Sequence, residues 1–261
     1  MKQSTHKWLL PGILCMAVLS VFTTTAATKV SHGASPESLG TFNYDVRYKN
    51  GLINAKVATA TITWEESKWQ NRPAYHSSAL VKAAPVFALF ISSDYVAETY
   101  FSHSGLAPLY FINPFKYKGK ACKYEYVFRE DNKTIESISI DEDDEPEYET
   151  FPLDGRTMDL LSLLHFVRFL DLTPDSAPIK MQILMAGKSR DARILYKGID
   201  EEKFPGISAE IILLEMTEHG LMENGSGNEI YIWRSPGPDR RLLALETELS
   251  SGAMFVRLRQ E

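Results

Sequence analysis

The sequence predicts a mainly β protein, a large curved antiparallel sheet forming a half-barrel or open barrel wrapped around one buried helix near residues 156–170. Three observations carry this expectation. Runs rich in β-branched and aromatic residues recur at short, regular intervals, with turn residues between them. One segment, 156–170, is apolar at helical spacing around nearly its whole circumference, so it has to be covered on all sides. A flat, open sheet of so many strands would be unusual, and curvature around the helix solves both problems at once.

Taken in order, the chain opens with Lys2 and Lys7 ahead of the apolar stretch 8–22, followed by Thr25, Ala26 and Ala27. This is the positive, apolar, small-residue order of a secretory signal, with cleavage expected after Ala27. An uncleaved anchor helix is the weaker alternative, since the apolar stretch is shorter than the ~20 residues a span needs. Leu14 stands where a lipidation site before Cys15 needs a small residue, so lipid anchoring is not expected. The organisation is then a signal peptide at 1–27, a flexible N-terminal segment at 28–40 and a single β-rich domain at 41–261.

The first strand is read from Phe42, Tyr44, Val46 and Tyr48 alternating with Asn43, Asp45, Arg47 and Lys49, the period of two of a half-buried strand. Asn50-Gly51 readily takes positive φ and joins it to the β-branched run 53–64 as a hairpin. Further strands are expected at 74–81, 95–102, 109–117 and 123–128, then at 179–185, 192–196, 209–216, 230–233, 242–249 and 254–258. Between the two groups lies the helix, with Leu160, Leu161, Leu163, Leu164, Phe166 and Val167 among its apolar residues. Asp159, Ser162, His165 and Arg168 form a narrow polar arc. Asp154 or Thr157 is the expected N-cap, and Pro174 lies beyond the end. The arc is expected to be satisfied internally, Asp159 at the helix start and Arg168 meeting the C-terminal end and a sheet acid. Cys122, the only cysteine beyond the leader, is expected to be a small buried residue on a strand.

Composition excludes some functions. With 28 basic against 34 acidic residues the net charge is −6, which argues against nucleic acid as a partner. No apolar run after the N-terminus is long enough to span a bilayer, so a soluble mature chain is expected. Gly187-Lys188-Ser189 lacks the upstream glycine of a phosphate loop, Gln182 standing there, and reads as a hairpin turn. Asn224-Gly225-Ser226-Gly227 lacks the first glycine of a nucleophile elbow and the helix after it. His32, His76, His103, His165 and His219 show no ligand spacing, so neither a metal nor another cofactor is expected. The acidic run 141–149 reads as a solvated turn, and Arg234, Arg240 and Arg241 as an exposed basic turn able to meet an anionic partner. The apolar run 85–91, with Phe87 and Phe90, is read as a plug or lid at one end of the sheet, near Tyr110.

A wider pattern runs through Phe42-Asn43-Tyr44-Asp45-Val46 and Gly51-Leu52-Ile53, then Asp94 and Glu98 before Leu106-Ala107-Pro108-Leu109. It continues through Asp159-Leu160-Leu161-Ser162-Leu163-Leu164 to Arg168, Ile230-Tyr231-Ile232-Trp233 and Arg241-Leu242-Leu243-Ala244 before Gly252. In order and spacing, over about residues 40–259, this resembles the exported bacterial proteins of the domain of unknown function 3108 family. It departs from them at Lys56, where a glycine is expected, and at Leu243, where a proline is usual. The resemblance implies export to the periplasm of a diderm bacterium and a β-rich fold, and carries over no catalytic residues. A sheet around a helix also looks like the half-barrel of periplasmic lipoprotein carriers, an analogy of architecture alone.

The expected function is noncatalytic binding of an apolar or amphipathic ligand, a lipid or envelope glycan, between sheet and helix. Arg168, His165, Phe166, Phe87, Phe90 and Tyr110 are the candidate binding residues. A surface-acting partner of envelope proteins is the alternative, and a hydrolase the remotest reading.

Overall fold

The computed structural model describes residues 39–85, 95–117, 120–140, 145–153, 156–217 and 228–259. Fifteen strands and one helix make up the described chain. The strands are β1 (Gly40–Asn50), β2 (Ile53–Trp69), β3 (Arg72–Ala83), β4 (Tyr95–Ser102), β5 (Pro108–Tyr117), β6 (Lys120–Arg129), β7 (Thr134–Ile140), β8 (Glu147–Pro152) and β9 (Thr157–Asp159). After α1 (Leu160–Phe169) come β10 (Ile179–Met185), β11 (Lys188–Asp200), β12 (Ala209–Met216), β13 (Glu229–Arg234), β14 (Leu242–Leu249) and β15 (Gly252–Leu258).

All fifteen strands form one sheet, in the order β8 to β1, then β15 to β9. Two runs of consecutive hairpins are therefore joined at a single seam, where β1 pairs with β15 from Tyr44↔Leu258 to Lys49↔Ala253. The pairings are antiparallel except for β9 with β10. The sheet is open, with β8 and β9 as its edges, but it curls so far that β9 lies against β5. At the seam Gly252 adopts φ +144° and passes directly over the Lys49 carbonyl and the Tyr48 ring, leaving no room for a Cβ.

Alternation decides which face is the core. Ala58, Ala60, Ile62 and Trp64 of β2 point inward and are buried, as are Tyr44 and Val46 of β1. All but Trp64 share the main core with Leu163, Phe166, Val167 and Leu170, while Trp64 packs with Tyr75, Phe101, Leu106 and Phe169, so α1 fills much of the concave side. A smaller cluster forms on the opposite face, where Phe204 from the β11–β12 loop packs on Ala209, Trp233, Leu243 and Ala244. Cys122 is buried on β6, as expected.

Several expectations need correction. The helix occupies 160–169, not 156–170, because residues 157–159 are extended and pair in parallel with β10, leaving Asp159 as the N-cap in place of Thr157. Strands β7 and β8 were not expected, and β8 takes up Glu147 and Glu149, which read as part of a turn. Arg234 is not exposed but fully buried. Residues 1–27, expected to be a leader, Phe87 and Phe90, the acids 141–144, Asp154, His32, His219 and residues 224–227 lie outside the described residues.

Candidate functional site

Strand β9 ends at Asp159, and the chain turns there into α1 because the carboxylate replaces the missing helical acceptors. Its Oδ1 accepts the Ser162 amide at 2.9 Å and its Oδ2 accepts the Ser162 hydroxyl at 2.5 Å. Thr99 on β4 lies 3.1 Å from that Oδ2 and 2.8 Å from Ser162 Oγ, which ties the helix start to the first run of strands. Burial raises the Asp159 pKa above the usual carboxylate value, against the opposing effect of the bonds from Ser162 and Thr99.

One turn later, His165 Nε2 lies 2.8 Å from Ser77 Oγ. The Ser77 hydroxyl donates to the Thr63 carbonyl at 2.7 Å, so Nε2 carries the proton and donates to Ser77, while the buried Nδ1 has no hydrogen-bond partner among the described residues. Trp64 and Phe101 pack on the imidazole at centroid distances of 4.6 and 5.3 Å. Burial holds His165 well below its ordinary pKa, with the Arg168 charge adding to the effect. A serine and a histidine do meet here, but the hydroxyl is turned to a carbonyl, Asp159 is engaged elsewhere, and both side chains are sealed from solvent.

The helix end is fixed by arginines. Arg234 Nη1 donates to the Val167 and Arg168 carbonyls at 2.6 and 2.8 Å, and its Nε donates to Glu210 at 2.6 Å. Arg240 Nη1 donates to the Leu170 carbonyl at 2.9 Å. Positive charge thus sits where the helix leaves its carbonyls unpaired. Arg168 runs the other way, to the Arg240 and Asp239 carbonyls of the β13–β14 turn at 3.0 and 2.9 Å, with its guanidinium 4.8 Å from the Trp64 ring centre. A sheet acid, Glu210, is paired with Arg234, and burial lowers the Arg168 pKa to about 10.

With its polar arc turned into the packed side of the sheet, α1 presents Leu160, Leu161 and Leu164 to a cavity of about 260 Å³. The opposite wall comes from both runs of strands: Ala60, Ile62 and Val81 from one, Ile232, Met254 and Val256 from the other. Among the described residues, polar lining is confined to Tyr95, Glu246 and Thr247, and the Glu246 carboxylate is turned away to Lys203. Leu160 and Leu164 remain only partly buried, although they pack against the main core. Tyr95 is 40% exposed, yet burial pushes its hydroxyl up to about 12, as befits a ring on the wall of a concavity.

His165 and Arg168 are brought together around Trp64, and Phe166 lies in the packed core. None of the three lines the cavity. Tyr110 lies on the convex face, stacked on Trp69 at 4.6 Å and bonded to Glu125 at 3.0 Å, away from the helix. The cavity residues missed in the sequence had one available signal, the pair Leu160 and Leu164 four apart on the side opposite the polar arc. Among the described residues no three His, Cys, Asp or Glu side chains converge as metal ligands, and no helix is long and apolar enough to cross a membrane.

No curated protein matches the chain. Among solved structures, the chain is similar to a beta-barrel-like protein of domain of unknown function DUF1849 from Brucella abortus, at 10% identity and a TM-score of 0.49, covering 84% of this chain and 95% of that one. The family model described as Protein of unknown function (DUF3108) matches residues 43–259, and the chain belongs to that family.

Proposed function

We propose that this is an exported, noncatalytic binding protein that holds the apolar part of a lipid between its sheet and its helix. The observation that carries the reading is the cavity facing Leu160, Leu161 and Leu164, whose lining among the described residues offers a ligand almost no polar partner. Such a lining favours an acyl chain over a glycan, because sugar hydroxyls taken out of water need hydrogen bonds. Each methylene buried there contributes ~0.8 kcal/mol, so the affinity comes from chain length and not from a specific contact. The sealed and misdirected Ser77–His165 pair supports a noncatalytic role, and the leader-like residues 1–27 support export.

The test is native mass measurement of the protein purified gently from its own cell envelope, before and after denaturation with organic extraction. A discrete extra mass that extraction removes and that proves to be lipid is the expected result. A bare mass in repeated preparations would overturn the reading and favour a surface-acting partner of envelope proteins.

A further inference from the structure

We propose that a second site, on the convex face of the sheet, binds a phosphate-bearing ligand. It is a concavity of about 300 Å³ whose floor includes Phe255 and whose walls carry Arg47, Lys49, Lys203 and Arg257. Among the described residues no acidic side chain is part of its lining. The site lies across the sheet from the apolar cavity and does not rest on the reading of that cavity.

The charge is what needs explaining. In a chain with 34 acids and 28 bases, four cations converging without an acid in the lining is not a consequence of composition. Their existing partners leave most of that charge unneutralised. Arg47 donates to the Asn54 side chain and carbonyl at 2.9 and 3.1 Å, both neutral acceptors. Arg257 makes one long bond, 3.4 Å, to the Lys203 carbonyl and lies 5.1 Å from the Phe204 ring centre. Only Lys203 is ion-paired, with Glu246 at 2.7 Å. Among the described residues, no carboxylate reaches ion-pair distance of Arg47, Lys49 or Arg257.

Two guanidinium groups beside the Lys49 ammonium, with Lys203 shared with Glu246, suit an anion with several acceptor oxygens and more than one charge, which describes a phosphate ester better than a lone carboxylate. Arg257 is also part of the wall of a neighbouring cleft of about 1070 Å³, which holds Arg241, Arg259, Phe204 and Leu243. That cleft provides room for the body of a ligand whose phosphate sits over Phe255. The same chemistry is offered by a soluble phosphorylated sugar and by a lipid headgroup.

The experiment titrates the intact protein with inorganic pyrophosphate by calorimetry, and separately with vesicles of phosphatidylglycerol mixed into phosphatidylcholine. Wild type is compared with Arg257→Gln and Lys49→Gln, and circular dichroism checks that both variants keep the fold. Saturable pyrophosphate binding that weakens about tenfold in each variant and falls with added salt is the expected result. Vesicle binding that pyrophosphate displaces and that the variants lose identifies a lipid headgroup as the source, and pyrophosphate binding without vesicle binding identifies a soluble one. Absence of binding to both probes, or equal binding by the folded variants, overturns the proposal.

Discussion

Leu164→Arg separates a cavity wall from a solid core. Leu164 is only partly buried and faces the space between α1 and strands β2, β3 and β12 to β15. Half of the ~1.5–3 kcal/mol that a fully buried leucine contributes is at stake for the fold, and the arginine stem can lie along the wall with its charge toward the opening, so the stability loss should be no more than about 0.8–1.5 kcal/mol. The ligand fares worse. An acyl chain placing about six methylenes in the cavity gains ~5 kcal/mol, and a guanidinium occupying that volume removes most of it, roughly a thousandfold in affinity. Displacement of a fluorescent fatty-acid probe measures the binding, and urea unfolding of the same preparation measures the fold. Wild-type-like binding by the variant would show that the ligand lies elsewhere, and global unfolding would show that Leu164 is packed core. Either result refutes the reasoning, and Leu164→Met, close in volume, should leave both measurements nearly unchanged.

Two further predictions concern the framework that positions the cavity. Arg234→Met leaves Glu210 and the helix-end carbonyls without their donor, and should cost ~3–5 kcal/mol in urea unfolding; adding Glu210→Met should recover part of the loss, because the second change removes the stranded charge. His165 stays neutral in the fold while the unfolded chain takes up a proton near the ordinary imidazole value of 6.5. Its contribution to stability is therefore complete above that value and is lost as pH falls below it, at up to ~1.4 kcal/mol per pH unit. Unfolding midpoints followed from pH 7 to pH 5 should show this slope in wild type and a flatter one in His165→Gln; equal slopes would mean that His165 does not carry it.

Much of the sheet could be read from local pattern. Strands β4, β10, β12 and β14 fall where β-branched and apolar runs begin and end, and Asn50-Gly51 marks the first hairpin. Strands β7 and β8 escaped because Glu136, Ser137 and Ser139, then Glu147 and Glu149, give them a polar composition, and their pairing with β6 and with each other supplies what propensity does not. The helix start was misplaced for a related reason: Thr157 and Met158 fit a helical apolar pattern, but β10 offers them a partner from 25 residues downstream, as in Thr157↔Gln182. The candidate site was less legible. A polar arc on an apolar helix drew attention to His165 and Arg168, yet the need to satisfy buried polar groups assigns them to Ser77 and to the β13–β14 turn. A cavity is a place that side chains fail to fill, and no local pattern records that failure.

The single seam between β1 and β15 also dictates an order of assembly. Nearly every other pairing joins strands adjacent in sequence, so hairpins can zip as soon as their second strand is available, with little chain to close. The seam instead waits for the last strand to meet the first, Leu258 beside Tyr44. In the folded chain α1 is a second tie between the two runs, bonded to Ser77 and Thr99 on one side and to Arg234 on the other. The apolar space, walled by Ile62 of one run and Val256 of the other, is therefore complete only once that seam has closed.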